Sequence, residues 1–424
     1  LNASASPEPV ALAGAPAVYQ AAWLLAFDET TASPVWLKDG WLRVENGRIT
    51  ALGSGTSLPA DLPIQTLPGT ALLPGLVNAH CHLELTTLHD RLDRGKPFPV
   101  WVDQLRGFTA GLENEDYRHA ARVGVQRLLE GGCTTVLDVG NTGEALGVLA
   151  DSALRSFACV ETLGLDPAHA ETRFASARAL ATRRAPTDRF HPGVAPHAAY
   201  SCSKELLRFV MEYQNSNRLP WTIHAAESRE EADLFESASG PMQDFCVRIF
   251  RGAPTHHGTT PVGWLESEGL LPDGALIIHG NHLDAADMDI LVRRKATVVH
   301  CPSSHAFFGH KPFPWQALRA RGIPVCLGTD SLASADSLSM LDQMRLFSER
   351  FPEVAPEEII RMTASGAARA LGLGGITGSL TIGYAADFIA VTMPEGPLRP
   401  ASLFRADAKV EKTVIGGRPV TPRT

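Results

Sequence analysis

Short apolar runs recur along the chain from about residue 71 to residue 330, each followed by a longer stretch with helical period. A short run bounded by polar residues predicts a buried strand, and an apolar position every three to four residues predicts an amphipathic helix. The unit at 118–139 is the clearest. Residues 118–130 carry the helical period, Gly131-Gly132 can end the helix, and residues 134–139 follow as a buried strand. The same pattern predicts strands in the run 71–79 and at 157–160, 193–196, 221–224, 275–279, 297–300 and 324–327, eight in all. Strands alternating with helices imply a parallel sheet with crossover helices. The distance from His82 to Asp330 is close to the roughly 250 residues of a (β/α)8 barrel. The expected fold is therefore α/β, a TIM barrel over residues 71–375.

The two ends of the chain carry a different pattern, short alternating runs punctuated by turn pairs. Asp39-Gly40 and Asn46-Gly47 are hairpin turn pairs between strand-like runs, and residues 387–391 and 412–415 continue the pattern near the other end. Residues 19–70 and 376–424 are expected to form one small β-sandwich domain. Residues 1–18, rich in Ala and Pro, are expected to be a loosely ordered extension.

Composition narrows the function classes. A net charge of -8 with 20% charged residues gives no basic patch for nucleic acid. Residues 9–27 are uncharged, but Pro9, Gly14, Pro16 and Gln20 argue against a membrane span. The first basic residue is Lys38, so no signal-peptide start is recognisable. Seven cysteines without a C-x-x-C pair do not form a disulfide framework and fit a reducing, cytoplasmic compartment. The expected partner is a small molecule, with neither nucleic acid nor membrane, and a homodimer is compatible with the sequence.

Polar residues interrupt the predicted strands at their ends. His80 and His82 close the first, His197 the fourth, His224 the fifth and His279 the sixth, while Asp330 follows the eighth. Residues i and i+2 of a strand point to one side, so His80 and His82 can converge. In a barrel all these positions face one mouth, where active sites of this fold sit. Three imidazoles (His80, His82, His224) and the Asp330 carboxylate offer a donor set suited to Zn2+. A metal held there makes a water molecule nucleophilic near pH 7. Glu227, three residues after His224, is placed to shuttle protons, with His279 and Asp330 orienting the attacking group.

The motifs 73–82 (Leu-Pro-Gly-Leu-Val-Asn-Ala-His-Cys-His), Pro196-His197-Ala198-Ala199-Tyr200-Ser201, His224-Ala225-Ala226-Glu227, His279-Gly280, Cys301-Pro302-Ser303-Ser304 and Gly328-Thr329-Asp330-Ser331 cover the barrel in order. Together they resemble the amidohydrolase superfamily, in particular its mononuclear aminohydrolases, which deaminate adenine-, guanine- or cytosine-like rings. The resemblance implies His80, His82, His224 and Asp330 as ligands of one divalent metal, Zn2+ with Fe2+ as the alternative. It implies Glu227 as acid/base, His279 beside the water and His197 as a substrate contact. Binuclear relatives bridge a second metal with a carboxylated lysine, and here no Lys occurs between Lys96 and Lys204. His305 stands where many relatives have Asn, which leaves the substrate open.

The expected reaction is hydrolytic deamination of an aminated purine-type nucleoside, with 6-aminodeoxyfutalosine of menaquinone biosynthesis as the first choice. Adenosine, S-adenosylhomocysteine, methylthioadenosine and guanine are the alternatives. A cyclic-amide hydrolase of the imidazolonepropionase type and a non-catalytic scaffold are the readings of other classes. Glu84, Ser331 and His305 are expected as further substrate contacts; Glu161, like Glu84, lies near a strand end and could bind substrate polar groups, with a surface or helix-cap role equally open for both. Cys81 and Cys301 are expected to be packed thiols. Arg91, Arg94 and Arg106 read as solvated charges, one of which could hold a substrate carboxylate. Phe98 and Trp101 read as pocket walls or loop packing.

Overall fold

The computed structural model describes residues 14–27, 33–252, 254, 258–395 and 397–420. Its first strand, Ala17–Phe27 (β1), includes Ala17 and Val18, which the sequence assigned to the loose extension. Residues 1–13 of that extension lie outside the described residues. Pro34–Lys38 (β2) and Trp41–Glu45 (β3) each pair antiparallel with β1, and Arg48–Gly53 (β4) pairs antiparallel with β3. The β3–β4 turn is made by Asn46 and Gly47, with φ of 51° and 74°. A tight hairpin turn needs positive φ at both positions, which Asn and Gly tolerate. Ile64–Pro74 (β5) then runs parallel to β1.

Eight all-parallel strands follow in two sheets of four. Leu76–Cys81 (β6), Cys133–Gly140 (β7), Arg155–Thr162 (β8) and Phe190–Pro196 (β9) form the first. Thr222–Ala225 (β10), Leu276–His279 (β11), Thr297–His300 (β12) and Val325–Leu327 (β13) form the second. They fall at the eight apolar runs of the sequence. Isolated parallel bridges link the sheets on both sides, Ala198 with His224 and Cys81 with Asp330. At the second seam a Cβ on Gly328 would lie 2.9 Å from the His80 carbonyl oxygen, so only glycine allows that approach. Val77, Ala79, Leu137, Val139, Phe157, Ala195, Leu276, Ile278 and Val299 share one buried core. Fully burying a Val, Leu, Ile or Phe side chain contributes about 1.5–3 kcal/mol.

The chain ends with Phe388–Thr392 (β14), Val410–Ile415 (β15) and Arg418–Pro419 (β16). β14 pairs antiparallel with β5, and all eight strands of the two chain ends join in one mixed sheet, with β2 attached to β1 off its main path. A small β-sandwich was expected there, and residues from both ends of this strand order, including Leu42, Ile49, Phe388 and Val414, share one buried core. The sheet is continuous because β5 is paired along both edges, by β1 and by β14. By compactness the chain divides into two units, Leu1–Gly75 with Gly375–Thr424, and Leu76–Gly374. No helix among the described residues is long and apolar enough to cross a membrane. All seven cysteines are unpaired and buried.

Candidate active site

The site is built on the carboxyl ends of the parallel strands. His80 lies near the end of β6 and His82 just beyond it, and His224 lies on β10. His82 Nδ1 is 2.7 Å from the Val139 carbonyl oxygen, and His224 Nδ1 is 2.8 Å from that of His197. A carbonyl only accepts, so both rings carry their proton on Nδ1 and turn an Nε2 lone pair inward. His224 Nε2 stands 3.1 Å from His80 Nε2, and Asp330 Oδ1 stands 3.6 Å and 3.8 Å from the Nε2 atoms of His82 and His80. Four donors about 2.0–2.1 Å from a tetrahedral ion would be separated by roughly 3.3 Å. Burial, reinforced by neighbouring imidazoles, holds His80 well below its usual range and His224 at about 4. Both are thus neutral, the form that ligates. These residues fit a divalent ion.

Asp330 is fixed from behind. Its Oδ2 accepts from the hydroxyls of Ser304 and Ser334, each at 2.7 Å, which leaves Oδ1 facing the histidines. Burial pushes its pKa up, but His279 and His82 with the two hydroxyls outweigh it and hold the carboxyl below the usual range. Glu227 goes the other way. Burial first, then the charges of Asp330, Glu231 and Glu230, hold its carboxyl well above that range. His279 Nε2 lies 3.4 Å from Glu227 Oε1, and burial brings this imidazole down to about 3. Ala226, His279 and Asp330 have φ of 54°, 71° and 58°, so three non-glycine residues of one site adopt the left-handed conformation. Such strain persists where the surroundings over-determine it, commonly at functional sites.

A family model described as Amidohydrolase family matches residues 71–420. The chain belongs to the amidohydrolase family. Among curated proteins, this amidohydrolase is 29% identical over 378 residues to the 5-methylthioadenosine/S-adenosylhomocysteine deaminase of Pyrococcus furiosus, covering 84% of this chain and 83% of that one. It is 28% identical over 400 residues to the protein of the same name from Moorella thermoacetica, covering 89% of each. Among solved structures, Helicobacter pylori aminofutalosine deaminase superposes with a TM-score of 0.82 at 22% identity, covering 95% of this chain and 100% of that one. A zinc-bound adenosine deaminase from Xanthomonas campestris gives 0.80 at 23%, covering 96% and 92%. At these identities the two structures speak for the fold.

His80, His82, His224, His279, Glu227 and Asp330 thus gather at one point of the amidohydrolase. His197 joins them, its ring 5.0 Å from that of His224 and its Nδ1 2.7 Å from the Ser201 hydroxyl. Glu84 does not. Its carboxylate accepts from Thr142 N and Oγ1, Glu144 N and Ala145 N at 2.8–3.2 Å. That capacity is spent at the start of the helix Glu144–Ala150, which has no cap of its own from Gly143. Glu84 thus caps this helix, one of the roles that the sequence left open for it. Ser331 is buried behind the site, its Oγ 3.5 Å from that of Ser334. His305 sits on the helix Pro302–Phe308, and its Nε2 is 2.9 Å from the Lys311 carbonyl oxygen. Arg94 is bound to Asp336 and lies over the Phe307 ring. Cys81 and Cys301 are buried thiols pushed well up by burial.

One site feature was missed in the sequence and another was left open there. Ser334 touches Asp330, and only the path of the loop after the strand brings it there. Glu161, at the end of β8, has a buried Oε1 without a hydrogen-bond partner and shares a donor cluster with His197 and His224. Burial, then the charges of Glu84, Asp330 and Asp138, raise it to about 8. Its strand-end position was visible, but not its inward direction.

Proposed function

We propose that this amidohydrolase is a hydrolytic deaminase of an aminated purine-type nucleoside, working at one mouth of a closed (β/α)8 barrel. The observation that carries the reading is the meeting of His80, His82, His224 and Asp330 beside the Glu227–His279 pair. The first four would hold one divalent ion, preferably Zn2+, with Fe2+ as the alternative. When bound, that ion supplies Lewis acidity that makes a water nucleophilic near neutral pH. Residues 97–203 contain no Lys to bridge a second ion.

The protein's own groups then move the protons. Glu227, whose carboxyl burial shifts toward the protonated form, donates to the ring nitrogen as water adds to the carbon bearing the amino group. As a carboxylate it takes one proton from that water and passes it to the amino group, which leaves as ammonia, while the remaining proton of the added hydroxyl returns to Glu227 as the ring carbonyl forms. His279, neutral and against Glu227, orients the attacking oxygen, as does Asp330. The Nε2 of His197 faces the substrate ring because Nδ1 is engaged by Ser201.

The names of the sequence relatives favour methylthioadenosine and S-adenosylhomocysteine as substrates. The stretch 78–84 (Asn-Ala-His-Cys-His-Leu-Glu) favours 6-aminodeoxyfutalosine, which we place first. Buried, unpaired cysteines fit a reducing cytoplasm. The test is ammonia release by the zinc-loaded enzyme from 6-aminodeoxyfutalosine, adenosine, methylthioadenosine, S-adenosylhomocysteine and guanine. At least one 6-amino nucleoside should release stoichiometric ammonia. Ring opening of imidazolonepropionate without deamination would sink the reading.

A further inference from the structure

A cavity of about 470 Å³ lies beside this site, within the size range of small-molecule pockets, and the deamination steps use none of its walls. Its lining comes from segments that follow β6, β10, β11 and β12, including Phe98, Arg229, His282, Phe308, His310 and Lys311. It adjoins the reacting groups through the backbone. His282 N donates to the Ala226 carbonyl at 2.8 Å, the Asn281 amide donates to the Glu227 carbonyl at 3.0 Å, and Arg229 is two residues past Glu227.

The chemistry of the lining is specific. Phe98 and Phe308 stand side by side, ring centroids 5.5 Å apart, and form one aromatic wall. Burial, with Lys311 and Arg229 adding to it, brings His282 down to about 4, and burial brings His310 to about 3. Both imidazoles are therefore neutral polar groups at pH 7. Three cations reach the rim, and two are engaged: Arg229 is bound to Asp233 and Glu236, and Lys96 lies 3.8 Å from Asp93. Lys311 is in no ion pair among the described residues, and its carbonyl is the one held by His305. One acidic residue, Glu230, also borders the space. An aromatic wall under a free ammonium suits a planar apolar group that ends in an anion. A small thioether would leave the ammonium unmet, and an aliphatic amino acid would leave the aromatic wall unused.

We propose that this cavity binds an aryl carboxylate substituent of the nucleoside, its ring against Phe98 and Phe308 and its carboxylate on Lys311. The proposal rests on the deaminase reading and adds the class of substituent. Lys311 is exposed, so its replacement leaves the core packing intact. The test compares kcat/KM for 6-aminodeoxyfutalosine, which carries a carboxyphenyl ketone, with that for methylthioadenosine in zinc-loaded wild type, Lys311→Met and Lys311→Arg. The expected result is a fall of at least tenfold in that ratio for Lys311→Met, through KM, with most of it restored in Lys311→Arg. A ratio within twofold of wild type overturns the proposal, as does a wild-type preference for S-adenosylhomocysteine. In either case ammonia release from the nucleosides leaves the deaminase reading standing. If no nucleoside releases ammonia, both fall together.

Discussion

Two buried carboxyl groups of one site are driven apart by their surroundings. Asp330 receives two hydroxyls and faces imidazoles, which push its pKa down, whereas Glu227 is buried among other carboxylates, which push its pKa up. On the proposed reading, that contrast suits Asp330 to metal binding and Glu227 to proton transfer. Glu227→Gln should retain one equivalent of zinc by elemental analysis while kcat/KM falls by about 10²–10⁴. Normal turnover in that variant would remove Glu227 from the chemistry. The residues with this contrast were legible because a strand's two-residue period and the recurring strand ends place them. Ser304 lay inside a recognisable motif. Ser334 had no such signal, since its contact depends on the backbone turning at Asp330 into a conformation that Asp rarely adopts.

At the scale of elements, two helix starts rely on carboxylates in opposite ways. Glu84 reaches from the segment after β6 to the start of Glu144–Ala150, and no local pattern announces a cap supplied from 60 residues away. Glu84→Ala should lower stability by about 1–3 kcal/mol, read from chemical denaturation, because it leaves buried N–H groups unpaired. Zinc content should be unchanged. Asp287, in the first turn of Ala285–Arg293, has a local signature, the reciprocal bonds with Asp284. Burial raises its carboxyl to about 6, against hydrogen bonds from Thr260 and Asp284 that lower it. The folded protein then holds a proton that the unfolded chain releases above about pH 4. This contribution is present below pH 4 and is lost as pH rises to about 6. Wild-type stability relative to Asp287→Asn should fall over that window by on the order of 2 kcal/mol. A flat difference profile would refute it. The eight parallel strands were readable because both faces are buried and their apolar runs are unbroken. The continuous sheet of the other unit was not, because pairing partners across the whole chain leave no mark in local alternation.

At the scale of the molecule, His80 with His82, His224 and Asp330 bring three distant segments of the unit Leu76–Gly374 to one point. A ligand that binds the folded state alone stabilises it by RT ln(1 + [L]/Kd), about 3–4 kcal/mol at 100–1,000 times Kd. Chelation should therefore lower the melting temperature by several degrees, and zinc should restore both melting temperature and ammonia release. Equal melting temperatures with and without chelator would mean that the imidazoles bind no structural or catalytic ion.

The double pairing of β5 has a consequence for synthesis. β1 to β4 are available as soon as β5 leaves the ribosome, but β14 is translated only after the whole of Leu76–Gly374. At about 5–20 residues per second this delay lasts tens of seconds. For that time the nascent chain carries an open strand edge, a template for pairing with neighbouring chains. The unit begun first is the last to be finished, and a chain stopped before Phe388 exposes that edge for good.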